Sequence, residues 1–487
     1  MIKRKQLTTS ISLALMVTSA ANAAEFIVQT NGDSGGGVPI LVSPGVYEID
    51  TLRSAVEQAD NELQFNGPDV IRFDPDLYVN GESTITLSGV GDVYNYIGSN
   101  SNSALGINSA VTVLGPDDGS TLTLSGGNSI RHFQVNNGGN LSLDNLTLTA
   151  GFAPSNIAGT GGAIVVDGGG SLTLTDSIVT NNVAETGGAI NFRYNSASST
   201  ISQSIFYGNS TTGTFGSGTG GAIYKRGIEP LIVDESTFTG NTANYSGGGL
   251  FTSGYLVVMN STIHGNYANR GGGGIDTNNI GILMLVNSTV SGNSANNSGG
   301  GVSIGTESDY SLVINSTISD NVARVNAASF TQNNTPDGNS PPLNSSGGGL
   351  HASNAYSVEL HNTLITGNHE TQSMEPSDIA ANARMESSHN LFSVAEVPVL
   401  THGVNGNQMG TAINPIDAKI QPLADNGGLT LTHRVASSSP AINAGDNAWV
   451  DLFSLDYDQR GVGFDRVSGT VDIGAIESDV IFADGLD

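Results

Sequence analysis

Short apolar stretches recur along the chain at a near-constant spacing, and they belong to two alternating motifs. The first motif is Gly-Gly, then Ala or Gly, then Ile, Leu or Val; it occupies residues 161–164, 187–190, 220–223, 247–250, 272–275, 299–302 and 347–350. The second is Ser-x-[Ile/Phe/Val]-x-x-Asn; it occupies 177–182, 204–209, 236–241, 261–266, 288–293 and 316–321, with a Thr-initiated variant at 363–368. The final Asn residues lie 27, 32, 25, 27, 28 and 47 positions apart. A repeat of this period indicates a solenoid.

Aligned copies of the repeat contain three apolar columns. The first contains Ile164, Ile190, Ile223, Leu250, Ile275, Val302 and Leu350. The second contains Leu174, Ile201, Val233, Val258, Leu285, Val313 and Leu360, and the third contains Val179, Phe206, Phe238, Ile263, Val290, Ile318 and Ile365. Each repeat is therefore predicted to have three short strands with apolar side chains turned inward. Because helical periodicity is missing and a propeller blade needs four strands, the sequence predicts an all-β, right-handed, single-stranded parallel β-helix.

The polar positions of the motifs also have structural interpretations. Gly pairs supply backbone conformations that a side chain forbids, at the corner between two faces. The recurrent Asn is predicted to bond its counterpart in the next coil, as an internal ladder. Asn260, Asn287 and Asn315 align as a second ladder.

The apolar pattern changes towards both ends of the chain. Apolar residues from Leu52 to Ala59 follow helical spacing, which predicts an amphipathic helix over 51–61 with Asp50 as its N-cap. A stretch rich in Pro, Asn and Ser at 322–346 is interpreted as a degenerate coil or a loop. The predicted segments are a leader at 1–23, an N-terminal cap at 24–83, β-helix repeats at 84–370, and the end of the β-helix with an irregular C-terminal cap and short tail at 371–487.

The first 23 residues have the pattern of a secretory signal peptide. Lys3, Arg4 and Lys5 precede an apolar run at 11–17, and Ala21-Asn22-Ala23 follows as an A-x-A cleavage site. The run is too short to span a membrane, so we expect no transmembrane segment in the mature chain. The pattern predicts a protein that the Sec pathway of a Gram-negative bacterium secretes or places on its outer surface.

Charge and composition narrow the classes of partner. The full chain has a formal charge of −28, and loss of the leader would leave 13 basic against 44 acidic residues, a charge of −31. This acidic net charge argues against nucleic-acid binding, because a protein binds the phosphates through clustered Lys and Arg. The chain has no Cys, so backbone pairing and packing must hold it together without disulfides.

Three parts of the sequence resemble known bacterial families. The repeats resemble those of chlamydial polymorphic outer-membrane proteins and related β-helix adhesins. Residues 51–56 followed by 69–73 resemble the CSLREA domain, although Asp50-Thr51 and Ser54 depart from its usual residues. Residues 439–445, 458–461 and 471–477 resemble the choice-of-anchor Q domain. The resemblance implies a secreted or surface β-helix protein whose activity is mostly unassigned.

The first apolar column also defines outward positions, because strand neighbours point to opposite faces. Counting from that column, the outward candidates are Asp167, Asn191, Arg193, Tyr224, Arg226, Phe251 and Asp276. Arg193 and Arg226 are expected on neighbouring coils beside two aromatic rings, as a site for an acidic polysaccharide. An alternative is a solvated face on which Arg193 pairs with Asp167.

Catalysis is the second functional hypothesis. A polysaccharide lyase needs Lys or Arg as base and often Ca²⁺, but Lys225 is the sole lysine in the repeats and falls at an inward position. A glycosidase needs two carboxylates about 5–10 Å apart, and no such pair is recognisable. No cofactor is expected, and Ca²⁺ is the one alternative left open. Its candidate ligands are Asp446, Asp451, Asp456, Asp458 and Asp472. Alternatively, Asp458 and Asp472 form a structural ion-pair network with Arg460. We therefore predict a monomeric, non-enzymatic protein that binds an extracellular polysaccharide or a cell surface. The second hypothesis is that the protein is a polysaccharide lyase or a glycosidase, and the third is that it is a spacer without a ligand.

Overall fold

The computed structural model describes residues 23–478, except 97–98, 154–158, 215, 279, 306–310, 325–346, 356–357, 372–375, 396 and 398. These residues form a parallel β-helix of about nine turns. Most of the predicted leader, most of the predicted insertion at 322–346 and the predicted tail at 479–487 lie outside the described residues. No helix in the described part of the chain is long and apolar enough to cross a membrane.

The largest sheet contains 22 strands in two rows, which two long strands join. The first row comprises Asp92–Tyr96, Ser99–Ile107, Arg131–Val135, Ile164–Val166, Ile190–Phe192, Ile223–Asp234, Leu250–Met259, Ile275–Thr277, Val302–Ile304, Leu350–Ala355 and Ile379–Asn382. The second row shares Ile223–Asp234 and Leu250–Met259 and adds Glu25–Val28, Ile40–Ser43, Val46–Ile49, Asp69–Phe73, Ala110–Leu114, Asn140–Asp144, Ser171–Thr175, Ser199–Ser202, Ile282–Val286, Ser311–Ile314 and Val358–His361.

Two smaller sheets complete each coil. The second sheet has 12 strands: Glu82–Thr86, Thr121–Ser125, Thr147–Thr149, Ile178–Thr180, Ile205–Tyr207, Thr237–Thr239, Thr262–His264, Thr289–Ser291, Thr317–Ser319, Leu364–Thr366, Leu391–Phe392 and Gln408–Met409. The third sheet has eight two-residue strands: Phe152–Ala153, Val183–Ala184, Ser210–Thr211, Thr242–Ala243, Tyr267–Ala268, Ser294–Ala295, Val322–Ala323 and His369–Glu370. The three strands predicted per repeat are confirmed, and the third sheet adds a fourth.

The three predicted apolar columns fill the interior. In the first, Ile190 pairs with Ile223 and Ile223 with Leu250; the second and third columns are in register in the same way. All members of the three columns are fully buried. Burial of one apolar residue on the next is the main stabilising term of the coil.

The predicted Asn ladder is confirmed. Within it, the backbone N–H and the side-chain amide of Asn266 both donate to Asn293 Oδ1, at 3.0 and 2.9 Å. The same arrangement links Asn182, Asn209, Asn241, Asn266, Asn293, Asn321 and Asn368. The ladder ends on Asp378 Oδ1, which accepts from Asn368 at 2.9 Å.

The second predicted ladder exists in two pieces. Asn287 donates to Asn260 and Asn362 donates to Asn315, both at 2.8 Å, but Asn287 Oδ1 and Asn315 Nδ2 have no partner. These four Asn residues have positive φ, between 46° and 52°. Asn tolerates this left-handed conformation better than most residues, so the backbone turn is a sufficient reason for its recurrence here.

The Gly pairs mark tight corners, as predicted. Gly247 has a φ of +69°, and a Cβ at Gly248 would overlap the carbonyl oxygen of Gly273 in the next coil. The first Gly therefore supplies the turn and the second permits the coils to stack closely.

Helix α1, Leu52–Ala59, lies in the predicted N-terminal cap. Its N-cap is Thr51, whose hydroxyl accepts from the Ser54 N–H, so the prediction of Asp50 is wrong by one residue. Asp50 instead accepts from the backbone N–H of Thr51. Short 3₁₀ turns occur at Pro75–Leu77 and Val404–Gly406.

The C-terminal segment 411–478 is irregular, as predicted, and contains one helix, α2 at Asn447–Phe453. It packs along the outer face of the second sheet, so it covers the side of the β-helix as well as its end. We call this segment the C-terminal layer. Thr262, Thr289 and Thr317, from three successive coils, bond to this layer and are at most 2% exposed.

Candidate functional site

Four of the seven predicted site residues form one continuous column. Asn191 pairs with Tyr224, Tyr224 with Phe251, and Phe251 with Asp276 on successive coils. The rings of Tyr224 and Phe251 stack at 5.2 Å with an interplanar angle of 5°. The register inferred from the sequence is therefore correct for these four residues.

This column points away from the interior, but it is largely covered. Asn191 is 1% exposed, and Phe251 and Asp276 are each 8% exposed. The first Gly of the pair lies over it, since a Cβ at Gly247 would come within 2.8 Å of the Phe251 Cβ and one at Gly272 within 2.6 Å of the Asp276 Cβ. A ligand therefore has little access to the column itself.

The other three predicted residues lie two positions farther along. Asp167 and Arg193 come directly after first-row strands, whereas Arg226 lies within the long strand Ile223–Asp234 and pairs with Ser253. Arg226 is exposed, and its guanidinium lies 5.4 Å from the centre of the Tyr194 ring. Tyr194 is 58% exposed and was absent from the predicted set. Arg193 precedes Tyr194 on the neighbouring coil, and Asp167 accepts from the Gly168 N–H.

Asp276 is the most perturbed acid of this region. Burial raises its pKa from 3.8 to about 8, against the opposing effects of the Ser303 hydroxyl and of Arg270. This shift favours the neutral form of the carboxyl at pH 7. On the other side of Ser303 in the column, His351 is also held neutral, because burial lowers its pKa to about 4.

The raised pKa of Asp276 predicts a pH-dependent contribution to stability. The folded protein holds this proton more tightly than the unfolded chain, so the contribution is complete below about pH 4 and is lost as pH rises towards 8. We expect Asp276→Asn to melt less steeply with pH than the parent between pH 5 and 9. Melting temperatures across that range would test this, and parallel curves for the two proteins would contradict it.

A second exposed group lies on the third sheet and the loops that follow it. We call it the aromatic–arginine ridge, and it comprises Tyr245, Tyr267, Asn269, Arg270, Asn296 and Arg324. Arg270 lies 5.0 Å from the ring centre of Tyr245, and Arg324 lies 5.9 Å from that of Tyr267. Both arginines are exposed, and neither forms an ion pair with a carboxylate of the described residues.

Hydrogen bonds order the amide groups of the ridge. The Tyr267 hydroxyl donates to Asn269 Oδ1 at 2.7 Å and accepts from Asn296 Nδ2 at 2.6 Å. The ridge was not predicted from the sequence. The available signal was a polar column three residues after each ladder Asn, at Asn244, Asn269, Asn296 and Arg324.

Lys225 lies inside the coil, at the inward position that the sequence indicated. It is 1% exposed, and its Nζ donates to Arg226 O at 3.1 Å and Ser196 Oγ at 3.3 Å. Burial lowers its pKa to about 8. A basic amine is thus present, but it is enclosed and does not face a ligand.

The predicted C-terminal ion-pair network is confirmed for Asp458 and Arg460, while Asp472 is held through backbone N–H groups. Arg460 and Asp458 are buried and lie 2.6 Å apart, while Asp472 accepts from the N–H groups of Asn443 and Ser478. Arg466 belongs to the same network and was missed; it is fully buried and donates to the carbonyls of Asp472 and Gly474.

These bonds leave Asp458 and Asp472 poorly suited to bind Ca²⁺, since their carboxylate oxygens are already occupied. Among the residues that the structure describes, no three His, Asp or Glu side chains are grouped as metal ligands. We expect the melting temperature to stay within about 1 °C when excess Ca²⁺ replaces a chelator. A rise of several degrees would restore the calcium hypothesis.

No family model and no curated protein matches the chain. The crystal structure of pectate lyase Pel9A is similar at 15% identity and a TM-score of 0.48, over 94% of this chain and 98% of that chain. At this identity the likeness concerns the fold alone. The resemblances to CSLREA and choice-of-anchor Q domains stay predictions.

Proposed function

We propose that the protein is exported and binds an acidic extracellular polysaccharide along the aromatic–arginine ridge, without cleaving it. The observation that carries this proposal is the pairing of two exposed guanidinium groups with two tyrosine rings in a chain of charge −28. Guanidinium groups bind carboxylate or sulfate groups, and aromatic faces pack against sugar rings.

The shape of the ridge suits an extended polymer. Its residues come from four successive coils, those of Thr242–Ala243, Tyr267–Ala268, Ser294–Ala295 and Val322–Ala323. With neighbouring strands about 4.8 Å apart, the ridge spans roughly 14 Å along the helix axis. That length accommodates several sugar units of a chain lying parallel to the axis.

Electrostatics favour anions here despite the acidic chain. Arg270 interacts electrostatically with the carboxyl of Asp276, and the raised pKa of that carboxyl, about 8, favours its neutral form at pH 7. Local positive charge is therefore retained, and it acts over about 8 Å at physiological ionic strength.

The alternative of catalysis has weaker support. The enclosed position of Lys225 removes the one lysine of the repeats as a base. Asp276 has the raised pKa of a general acid, but Phe251 and Ser303 are its partners in the column, and neither is a second carboxylate. Product formation is the observation that would reverse the order of the two hypotheses.

Binding of acidic and neutral polysaccharides by the purified protein tests the proposal. We expect Arg270→Ala plus Arg324→Ala to weaken binding of an acidic polymer at least tenfold, because each exposed charged contact contributes about 1 kcal/mol. The matched control is Arg434→Ala, which removes an exposed arginine from the C-terminal layer. Binding by the double variant that equals the control would refute the ridge.

Two further arms separate the remaining hypotheses. Arg193→Ala plus Arg226→Ala tests the surface around Tyr194, and a loss of binding confined to this variant would move the site there. Unsaturated products or new reducing ends would indicate a lyase or a glycosidase. Failure to bind any polymer of the panel would favour a ligand-free spacer.

A further inference from the structure

The first strand of the coil brings a buried carboxyl to the main chain next to the predicted cleavage site. Ala24 precedes strand Glu25–Val28, and Asp69 begins strand Asp69–Phe73, which pairs with it in parallel. The Ala24 N–H donates to Asp69 Oδ1 at 2.6 Å. Ala24 is 4% exposed and Asp69 is fully buried.

This carboxyl lacks the partners that a buried charge needs. Asp69 Oδ2 is enclosed and has no hydrogen-bond partner. Burial raises the pKa of Asp69 to about 7, with a further rise from Glu62 and an opposing effect from the Ala24 N–H. A single amide N–H cannot satisfy two carboxylate oxygens, so the unprocessed chain carries an incompletely paired acid in its first coil.

Cleavage after Ala23 would change the donor at this position. Hydrolysis adds water across the Ala23–Ala24 peptide bond, so Ala23 leaves with a carboxylate and Ala24 gains an amine. At neutral pH that amine takes a proton and becomes an ammonium group with three N–H donors. It then offers both a compensating charge and enough donors for both oxygens of Asp69.

We propose that a signal peptidase cuts the chain between Ala23 and Ala24, and that Asp69 holds the new α-ammonium group as a buried ion pair. Removal of the leader thus completes the first coil of the β-helix. This proposal and the proposed function both assume that the protein is exported, but they have nothing else in common. The tests of this proposal involve no polysaccharide.

The surrounding charges are compatible with this pair. On the same two strands, Glu25 and Arg72 pair with each other at 3.1 Å in an exposed position. From the segment after α1, Asp60 accepts from Asn108 and Ser109, and Glu62 is exposed. Strand Ala110–Leu114, which flanks Asp69 on its other side, carries no titratable residue.

Two secreted proteins with different first residues provide the test. The first is the full chain expressed with its leader. The second carries Gly-Ser inserted between Ala23 and Ala24, so cleavage after Ala23 leaves the amine two residues away and returns an amide to Ala24. Intact mass establishes the first residue of each, and a mature protein that does not begin at Ala24 overturns the proposal.

Asp69→Asn in both backgrounds then gives opposite expected effects. In the protein that begins at Ala24, the substitution should lower the melting temperature at pH 7.5 by about 5 °C, because it leaves the ammonium group unpaired. In the extended protein it should leave the melting temperature unchanged or raise it, since it removes an underpaired acid. The same sign in both backgrounds would refute the pair.

Amine reactivity provides a readout on the unsubstituted proteins, whether or not the Asn variants fold. An ion pair with Asp69 favours the unreactive, protonated form of the Ala24 amine, and burial shields this amine from reagents. We expect the native Ala24 amine to react with an acylating reagent at least tenfold more slowly than the Gly amine of the extended protein. Equal rates would overturn the proposal.

Discussion

Asn293→Ala is expected to lower the free energy of unfolding by about 4 kcal/mol, among the largest effects of any single substitution in the repeats. Asn293 takes part in five buried hydrogen bonds that involve a side chain of the ladder. It donates to Ile263 O at 2.9 Å and twice to Asn321 Oδ1, and its own Oδ1 accepts twice from Asn266.

The size of this effect follows from what the substitution leaves behind. Alanine retains the backbone N–H but removes the amide, so Ile263 O loses a donor and the Asn266 backbone N–H loses its acceptor. Each unsatisfied buried group costs about 1–3 kcal/mol. These groups are shielded from bulk solvent, because the ladder residues are at most 1% exposed.

The matched control is Asn244→Ala, three residues after the ladder position of its own coil. Asn244 is exposed, so its loss should change the unfolding free energy by less than about 0.5 kcal/mol. Urea denaturation followed by circular dichroism gives both values. Similar stabilities for the two variants would mean that the ladder contributes little to folding.

Asp378 shows how the ladder ends. It accepts from the Asn368 backbone and side chain through Oδ1, as an Asn would, and from the Val394 N–H through Oδ2. A carboxylate suits this last position because both of its oxygens accept hydrogen bonds. An Asn here would place its side-chain NH₂ group, a donor, against the Val394 N–H. Burial raises the pKa of Asp378 to about 6, so this termination loses stability as pH rises from about 4 to 6.

The columns and the first ladder were predictable because they depend on local alternation and on exact repetition. Three successive strands point Ile263, Val290 and Ile318 inward in register, and any shift of one residue would expose them. The third sheet was not predictable in the same way. Its strands have two residues each, with a small buried residue such as Ala268, so they are too short to show an alternating pattern.

The candidate site was predictable in its register but not in its exposure. Strand alternation correctly places Tyr224, Phe251 and Asp276 in one column outside the interior. Their burial depends on the path of the loop before each Gly pair, which is a tertiary feature that no local spacing encodes. The ridge residues Arg270 and Arg324 were not predicted, because they lie in the loops before the Gly pairs and outside the motifs that define the repeat.

The C-terminal layer was the least predictable part. The sequence indicates an irregular region, but the residues that attach it to the β-helix are not periodic. Gln459 is the main attachment point and is 2% exposed. Its Nε2 lies within hydrogen-bond distance of Ser261 O and Thr262 Oγ1 on the second sheet, and its Oε1 accepts from Thr289 at 2.6 Å.

Gln459→Leu is expected to destabilise docking of this layer by about 3 kcal/mol, because a leucine of similar size leaves the buried hydroxyls of Thr262 and Thr289 without these partners. Since each coil pairs only with its neighbours, the β-helix itself should stay folded. Limited proteolysis should therefore cut within 411–478 at least tenfold faster, while the repeats remain resistant. The control is Gln421→Leu, an exposed residue of the same layer, which should leave the rate unchanged. Faster cleavage throughout the repeats would instead mean that the layer and the β-helix unfold as one unit.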